Sequence, residues 1–340
     1  MRRHIVWGLS FASLFSCSAM RAQQDAPVQV VPLNLYGQHL IVVQGSVGQL
    51  GKRNLVIDTG AYPSIIDRDI AKKLKLSGHA EEVDAVNRTV SRTAVIVPSV
   101  DIGPIRATGV RALVDDLSSL SQQTGVRIDA LIGLDVLAHS SFRIDYAAKR
   151  IFFGPVTPLP SSAPFDRVDS MICLALRVGR QSLRLLVDTG AEKTLLLGPR
   201  VAELILASKQ SQEFRNLAGH FTLRQVSLRS LQLSDTDLTT QPIFVSDATN
   251  LPPYKFDGFL STVQFRQIAF DFERQEFSWM TNDKPRDLVR SASSSADVSP
   301  DVALSMEPAS KAEPRSVWRN EEAGDARRQL RVPFRSADAR

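Results

Sequence analysis

Leu55-Val56-Ile57-Asp58-Thr59-Gly60-Ala61 recurs as Leu185-Leu186-Val187-Asp188-Thr189-Gly190-Ala191, so the chain states one phrase twice. In each copy an apolar triplet runs into Asp-Thr-Gly-Ala. Six residues beyond the aspartate stands a hydroxyl, Ser64 or Thr194, followed by Ile65-Ile66 or Leu195-Leu196. The aliphatic run suits a strand buried on both faces. Gly60 and Gly190 are expected to adopt backbone angles that other residues avoid, turning the chain sharply and leaving the aspartate at a strand end. A carboxylate in that place is partly desolvated, which raises its pKa. Two copies of one unit could bring Asp58 and Asp188 together across a pseudo-twofold axis, where like charges share one proton. One is then a base and the other an acid, the division of labour needed to activate water against an amide carbonyl. A lone Asp-Thr-Gly is also an ordinary turn. Turn chemistry does not demand the shared Ala, the later hydroxyl and the apolar flanks twice over.

With 340 residues and 43% hydrophobic content, the chain can bury one or two substantial cores, and the repeat argues for two. The net charge of +5 is mild and dispersed, with no basic stripe interleaved with aromatics, so nucleic acid is not an expected partner. The two cysteines are Cys17 and Cys173, and the first lies in a segment expected to be removed, which excludes a disulfide framework in the mature chain.

Residues 1–22 read as an export signal. Arg2-Arg3-His4 is basic, Ile5 to Phe15 is apolar but too short to span a bilayer, and small residues follow at Ser16, Ser18, Ala19 and Ala22. Leu14-Phe15-Ser16-Cys17 is also similar to a lipoprotein signal with a lipid on Cys17, although Phe15 is larger than that pattern carries. A periplasmic or secreted protein and a lipid-tethered one both remain open. No later apolar run is long enough for a transmembrane helix.

A first unit is expected over 28–157 and a second over 171–282, joined by a stiff linker at 158–170, where Pro158, Pro160 and Pro164 stand. Leu40 to Val43 and Asn54 to Ile57 read as strands around a glycine-rich turn at Gly45 to Lys52, which fails as a phosphate loop. Asp67 to Leu76 has helical periodicity, and Val83 to Val97 alternates like a hairpin able to project over a cleft. The units close alike: Leu131-Ile132-Gly133 precedes Phe142-Arg143-Ile144-Asp145, and Phe259-Leu260-Ser261 precedes Ala269-Phe270-Asp271. Residues 285–340, rich in Ser, Ala, Pro and mixed charge, read as a disordered tail.

The paired Asp-Thr-Gly-Ala turns with their downstream apolar-apolar-Gly segment resemble the aspartic proteases, and more closely the retropepsin-like branch found also in bacteria. The Ala after the glycine is similar to the retropepsin form. Retropepsins are dimers donating one aspartate per subunit, and this chain looks like two such units fused, a monomer containing its own pseudo-dimer. The resemblance implies a mainly β fold of two closed β-barrel lobes related by a pseudo-twofold axis, with short helices. It implies an aspartic endopeptidase acting on extended polypeptide without metal or cofactor, with Asp58 and Asp188 activating one water. Thr59, Gly60, Ala61, Thr189, Gly190 and Ala191 would support the active-site turns, the threonines cross-bracing them. Flaps would lie near Asp84 to Arg92 and Ala218 to Gln225, holding peptide by strand addition.

One departure stands out: Ser261 occupies the place of the family's glycine, and its side chain is expected to strain a close backbone crossing. That keeps open a peptide-binding module without turnover, beside units that pair between chains. Other chemistries lack residues. His4, His39, His79, His139 and His220 show no metal-ligand spacing, no Gly-x-Ser-x-Gly elbow occurs, and Cys173 reads as a buried thiol.

Overall fold

The computed structural model describes residues 27–85, 88–216, 219–246 and 254–282. Strands dominate, and the helices are short, such as Arg68–Lys73 and Ser118–Thr124. The export segment, Cys17 and the expected tail lie outside the described residues. All described residues belong to one compact unit, built as two β-rich lobes on sheets of 13 and 10 strands.

The doubled phrase occupies the same topological position in each lobe. Leu50–Ile57 pairs in parallel with Ala130–Ile132, which is antiparallel to Ser64–Asp67, itself parallel to Ile105–Asp115. Gln181–Asp188 likewise pairs in parallel with Gly258–Ser261, which is antiparallel to Thr194–Leu196, itself parallel to Ile243–Ser246. The registers agree, since Ile65 faces Leu131 as Leu195 faces Phe259. Parallel strands covered on both faces need continuous apolar runs. Leu55-Val56-Ile57 and Leu185-Leu186-Val187 supply them and are fully buried.

A shared layer joins the lobes, with strands in the order Gln29–Tyr36, Arg150–Phe153, Phe142–Asp145, Phe265–Asp271, Glu276–Thr281 and Ser161–Pro164. At its centre Ile144 faces Ile268 and Phe142 faces Phe270, on either side of the pair Arg143 and Ala269. Because Phe142 and Ile144 correspond in the repeat to Ile268 and Phe270, the ladder maps onto itself, as a twofold axis through the Arg143 and Ala269 pair requires. Phe142 packs on Phe270 at 4.8 Å between ring centroids, and Phe277 stacks on Trp279 at 5.7 Å. Each such ring taken out of water contributes about 1.5–3 kcal/mol. Tyr146 Oη and Thr262 Oγ1 share a buried hydrogen bond of 2.7 Å across the seam.

Several local readings change. The glycine-rich turn is narrower than Gly45 to Lys52, because Leu40–Val47 and Leu50–Ile57 leave only Gly48 and Gln49 between them. Gly45 lies within a strand at a register shift, where a Cβ would stand 2.5 Å from the Asp101 carbonyl oxygen. Its glycine marks a close backbone approach instead of a turn. The helix is shorter than Asp67 to Leu76, running Arg68–Lys73 behind Asp67, whose carboxylate accepts from the Asp69 amide. The proline-marked stretch 158–170 carries two short strands, Ser161–Pro164 on the edge of the shared layer and Asp166–Val168 against Met171–Val178. Proline is tolerated there because an edge strand has one unpaired side. In the first lobe Ser46 and Val47 also pair with Asp101 and Val100, bringing the path of strands back to its start. In the second, no such return pairing joins the ends among the described residues.

Candidate active site

Asp58 and Asp188 stand at the ends of their buried strands and face each other. The approach is so close that it decides which residues can follow. A Cβ built on Gly60 would lie 2.3 Å from Cγ of Asp188, and one on Gly190 would lie 2.7 Å from Cγ of Asp58. Neither glycine has a left-handed φ. The expectation of special backbone angles is therefore corrected: these positions exclude a side chain because the opposite carboxylate occupies its space.

The turns are braced across the seam by threonines that are completely buried. The Thr59 amide donates to Thr189 Oγ1 at 3.0 Å, and the Thr189 amide donates to Thr59 Oγ1 at 3.1 Å. Each hydroxyl then donates to a carbonyl of the other strand, Thr59 Oγ1 to Val187 at 2.8 Å and Thr189 Oγ1 to Ile57 at 3.1 Å. Four buried polar bonds thus couple the two strands that carry the aspartates. Buried groups of this kind are costly to leave unpaired, so the brace fixes the separation of the carboxyls.

The two carboxyls are not equivalent. Asp188 Oδ1 accepts from the amides of Gly190 at 2.8 Å and Ala191 at 3.0 Å, whereas Asp58 Oδ1 accepts from Gly60 alone at 2.8 Å. The Ala61 amide instead donates to the Asp58 backbone carbonyl at 3.3 Å. Removal from water pushes Asp58 well above the usual carboxylate range, and the charge of Asp188 and the hydrogen bond between the two side chains push it further. Burial also raises Asp188, but the bond from Asp58, the two amides and His39 pull it back. The two carboxyls titrate as a pair raised above the ordinary carboxylate range, and two amide donors at Asp188 against one at Asp58 favour the negative charge on Asp188.

Downstream of the aspartates, Ser64 and Thr194 support the strands that close each site. Ser64 Oγ donates to Asp135 Oδ1 at 2.7 Å and accepts from the Gly133 amide at 2.9 Å. Thr194 Oγ1 accepts from the Ser261 amide at 3.2 Å. Asp135 is a residue that the sequence reading did not single out. Its carboxylate also takes the Ser64 amide, and burial raises its pKa. The acid following Leu131-Ile132-Gly133 was the available signal.

Ser261 makes a hydrogen bond of its own at the equivalent crossing. In the first lobe a Cβ on Gly133 would stand 2.3 Å from the Ala61 carbonyl oxygen, which instead accepts the Leu134 amide at 3.1 Å. In the second, Ser261 Oγ itself donates to the Ala191 carbonyl at 2.8 Å. The hydroxyl takes over the bond that a backbone amide makes in the first lobe.

A cavity of about 710 Å³ opens over the aspartates and is lined from both lobes. Val83, Asp84, Ala85, Val90 and Arg92 of the hairpin formed by Gly78–Ala85 and Arg88–Ile102 border it, the first of the stretches expected as flaps. Of the second, Leu223 borders the cavity, whereas Ala218 lies outside the described residues. The hairpin reaches the other lobe, where the Tyr254 hydroxyl donates to the Ala85 carbonyl. His39, Leu40, Met171 and Tyr254 also line the cavity, and no motif in the sequence announced them. Cys173 is buried away from it, its thiol pushed up to about 12 by desolvation, as suits a core residue. Among the described residues no three His, Cys, Asp or Glu side chains are placed to hold a metal ion, and no helix is long and apolar enough to cross a membrane.

No curated protein matches the chain. A family model described as aspartyl protease matches residues 43–136, the stretch that holds Asp58, Thr59, Gly60, Ser64, Gly133 and Asp135, and this supports an aspartic protease relationship for the chain.

Proposed function

We propose that the protein is an aspartic endopeptidase in which Asp58 and Asp188 of one chain activate a single water. The reading rests on one observation above the rest: two carboxyls from repeated turns face each other at the floor of a cleft, with two amides on Asp188 and one on Asp58. Asp188, the better stabilised anion, acts as general base and takes a proton from the water as its oxygen attacks the peptide carbonyl carbon. Asp58 gives its proton to the carbonyl oxygen, forming a tetrahedral diol. On collapse of the diol the carbon–nitrogen bond breaks as Asp188 gives its proton to the leaving nitrogen, and Asp58 takes the proton of one hydroxyl as the carbonyl re-forms, which restores the pair. The residues of the turns, Thr59, Gly60, Ala61, Thr189, Gly190 and Ala191, position the carboxyls for both steps.

An extended polypeptide would lie in the cleft beneath the Gly78–Ile102 hairpin, whose backbone can pair with it as an added strand. Both halves of the site come from one chain, which supports a fused pair of retropepsin-like units working as a monomer. The basic and apolar start of the sequence supports action after export, in the cell envelope. Incubation with denatured protein and peptide mixtures from acid to neutral pH tests the reading. Hydrolysis lost in both Asp58→Asn and Asp188→Asn supports it, and peptide binding with no turnover by the wild type refutes it.

A further inference from the structure

The two lobes are built alike but do not present the same surface to the cleft. Strand registers set the correspondence, since Leu131 sits opposite Val56 as Phe259 sits opposite Leu186. Counting back from those positions, Val126 corresponds to Tyr254 and Ile128 to Phe256. Three aliphatic residues of the first lobe are thus aromatic in the second.

The replacement changes what faces the cavity. Ile128 is fully buried in a small satellite core with Leu117 and Leu131, and neither it nor Val126 borders the cleft. Tyr254, Phe256 and Phe259 all border it. Tyr254 stacks on Phe256 at 4.7 Å, and Phe256 meets Phe259 edge to face at 5.3 Å, so the rings hold one another as a continuous aromatic wall. The first lobe offers Leu40, Val56, Ile65 and Leu131, an aliphatic surface, with the half-exposed Tyr62 bordering the cavity beside the Asp58 turn. Met171, Leu186 and Leu195 are the second lobe's counterparts of Leu40, Val56 and Ile65, so the difference between the walls lies at Tyr254, Phe256 and Phe259. The twofold relationship puts these walls on opposite sides of the aspartate pair.

We propose that the cleft reads the two side chains flanking the cut differently, accepting an aromatic residue against Tyr254, Phe256 and Phe259 and an aliphatic residue against the first lobe. This rests on the peptidase reading and adds to it a direction: the substrate is an apolar segment with an aromatic residue on one fixed side of the scissile bond. Aromatic rings gain from offset and edge-on contacts beyond what area burial supplies, and an aliphatic wall cannot return that gain.

The test uses a peptide library randomised at the two positions flanking the cut. Hydrolysis by the wild type is compared with Phe256→Ile and Phe259→Leu, which install the first lobe's residues, and with Leu131→Phe, which does the reverse. Binding of the same peptides to Asp58→Asn is measured in parallel. Enrichment of Phe and Tyr is expected on one side of the cut only. It should fall about 2- to 12-fold in Phe256→Ile and Phe259→Leu, and an aromatic preference should appear on the other side in Leu131→Phe. Equal preferences on both sides, or an enrichment indifferent to all three substitutions, overturns the inference while leaving the peptidase standing. Aromatic-dependent binding that Phe256→Ile abolishes, with no hydrolysis by the wild type, overturns the peptidase and upholds the unlike walls. Neither binding nor hydrolysis overturns both.

Discussion

Gly60 lies so close to Asp188 that the Cβ of any other residue would stand 2.3 Å from the carboxyl carbon. The two turns are therefore coupled through an absence of atoms as well as through bonds. Gly60→Ala must push Asp188 out of place, at a cost of about 1–3 kcal/mol for overpacking. A displacement near 1 Å at the reacting groups lowers kcat by about 100-fold. Steady-state kinetics on a folded Gly60→Ala protein checks this, and Gly190→Ala, with a 2.7 Å approach, should be the milder change.

Thr59→Val keeps the shape of the side chain but removes the hydroxyl. The Thr189 amide then loses its acceptor and the Val187 carbonyl loses its donor, both buried. Each orphaned group costs about 1–3 kcal/mol, so the denaturant midpoint should drop markedly in equilibrium unfolding. Thr59→Ser retains the hydroxyl and should restore most of the loss.

The proton shared by the aspartates links activity and stability to pH. Burial and mutual repulsion raise the folded-state pKa of Asp58 above its unfolded value. Between those two values the native pair holds a proton that the unfolded chain has released, so stability is full below the unfolded pKa and falls as pH rises through the folded one. Asp58→Asn removes that penalty. It should melt higher than the wild type at neutral pH, by about 2–4 °C for each kcal/mol relieved, and the difference should vanish in acid. Hydrolysis should follow a bell-shaped pH profile whose alkaline limb lies above the ordinary carboxylate range, since turnover needs one proton on the pair.

Ser261 and Gly133 occupy equivalent places and should respond unequally to exchange. Ser261→Gly loses the bond from Oγ to the Ala191 carbonyl, a loss of about 0.5–1.5 kcal/mol. Gly133→Ser drives a Cβ to 2.3 Å from the Ala61 carbonyl oxygen and should be the more destabilising of the two. Thermal melts of both variants decide it, and a stabilised Ser261→Gly would show that the serine is a defect.

Tyr254 ties the Gly78–Ile102 hairpin to the second lobe through the Ala85 carbonyl. Tyr254→Phe keeps the ring and removes the donor. Amide hydrogen exchange along residues 88–97 should quicken by about 2- to 12-fold, the range that one net hydrogen bond represents. Unchanged exchange would mean that the hairpin is held by its own ladder alone.

The sequence by itself determined the paired Asp-Thr-Gly-Ala turns, the buried strands that lead into them and the mainly β fold, because a continuous apolar run broken by a small polar turn has few structural solutions. It also announced the hydroxyls Ser64 and Thr194 by spacing, without their partners. Only the tertiary structure decided why Gly60 and Gly190 are glycines, since a clash with a carboxyl 128 residues away for Gly60 and 132 for Gly190 leaves no local trace. It decided as well that Ser261 is accommodated, that Asp188 has two amide donors where Asp58 has one, and that Tyr254 and Phe256 face the cleft while Val126 and Ile128 do not. These are differences of a few ångströms between equivalent positions in two copies of one topology. Sequence periodicity reports the topology, whereas such differences arise only when the two copies are packed against each other.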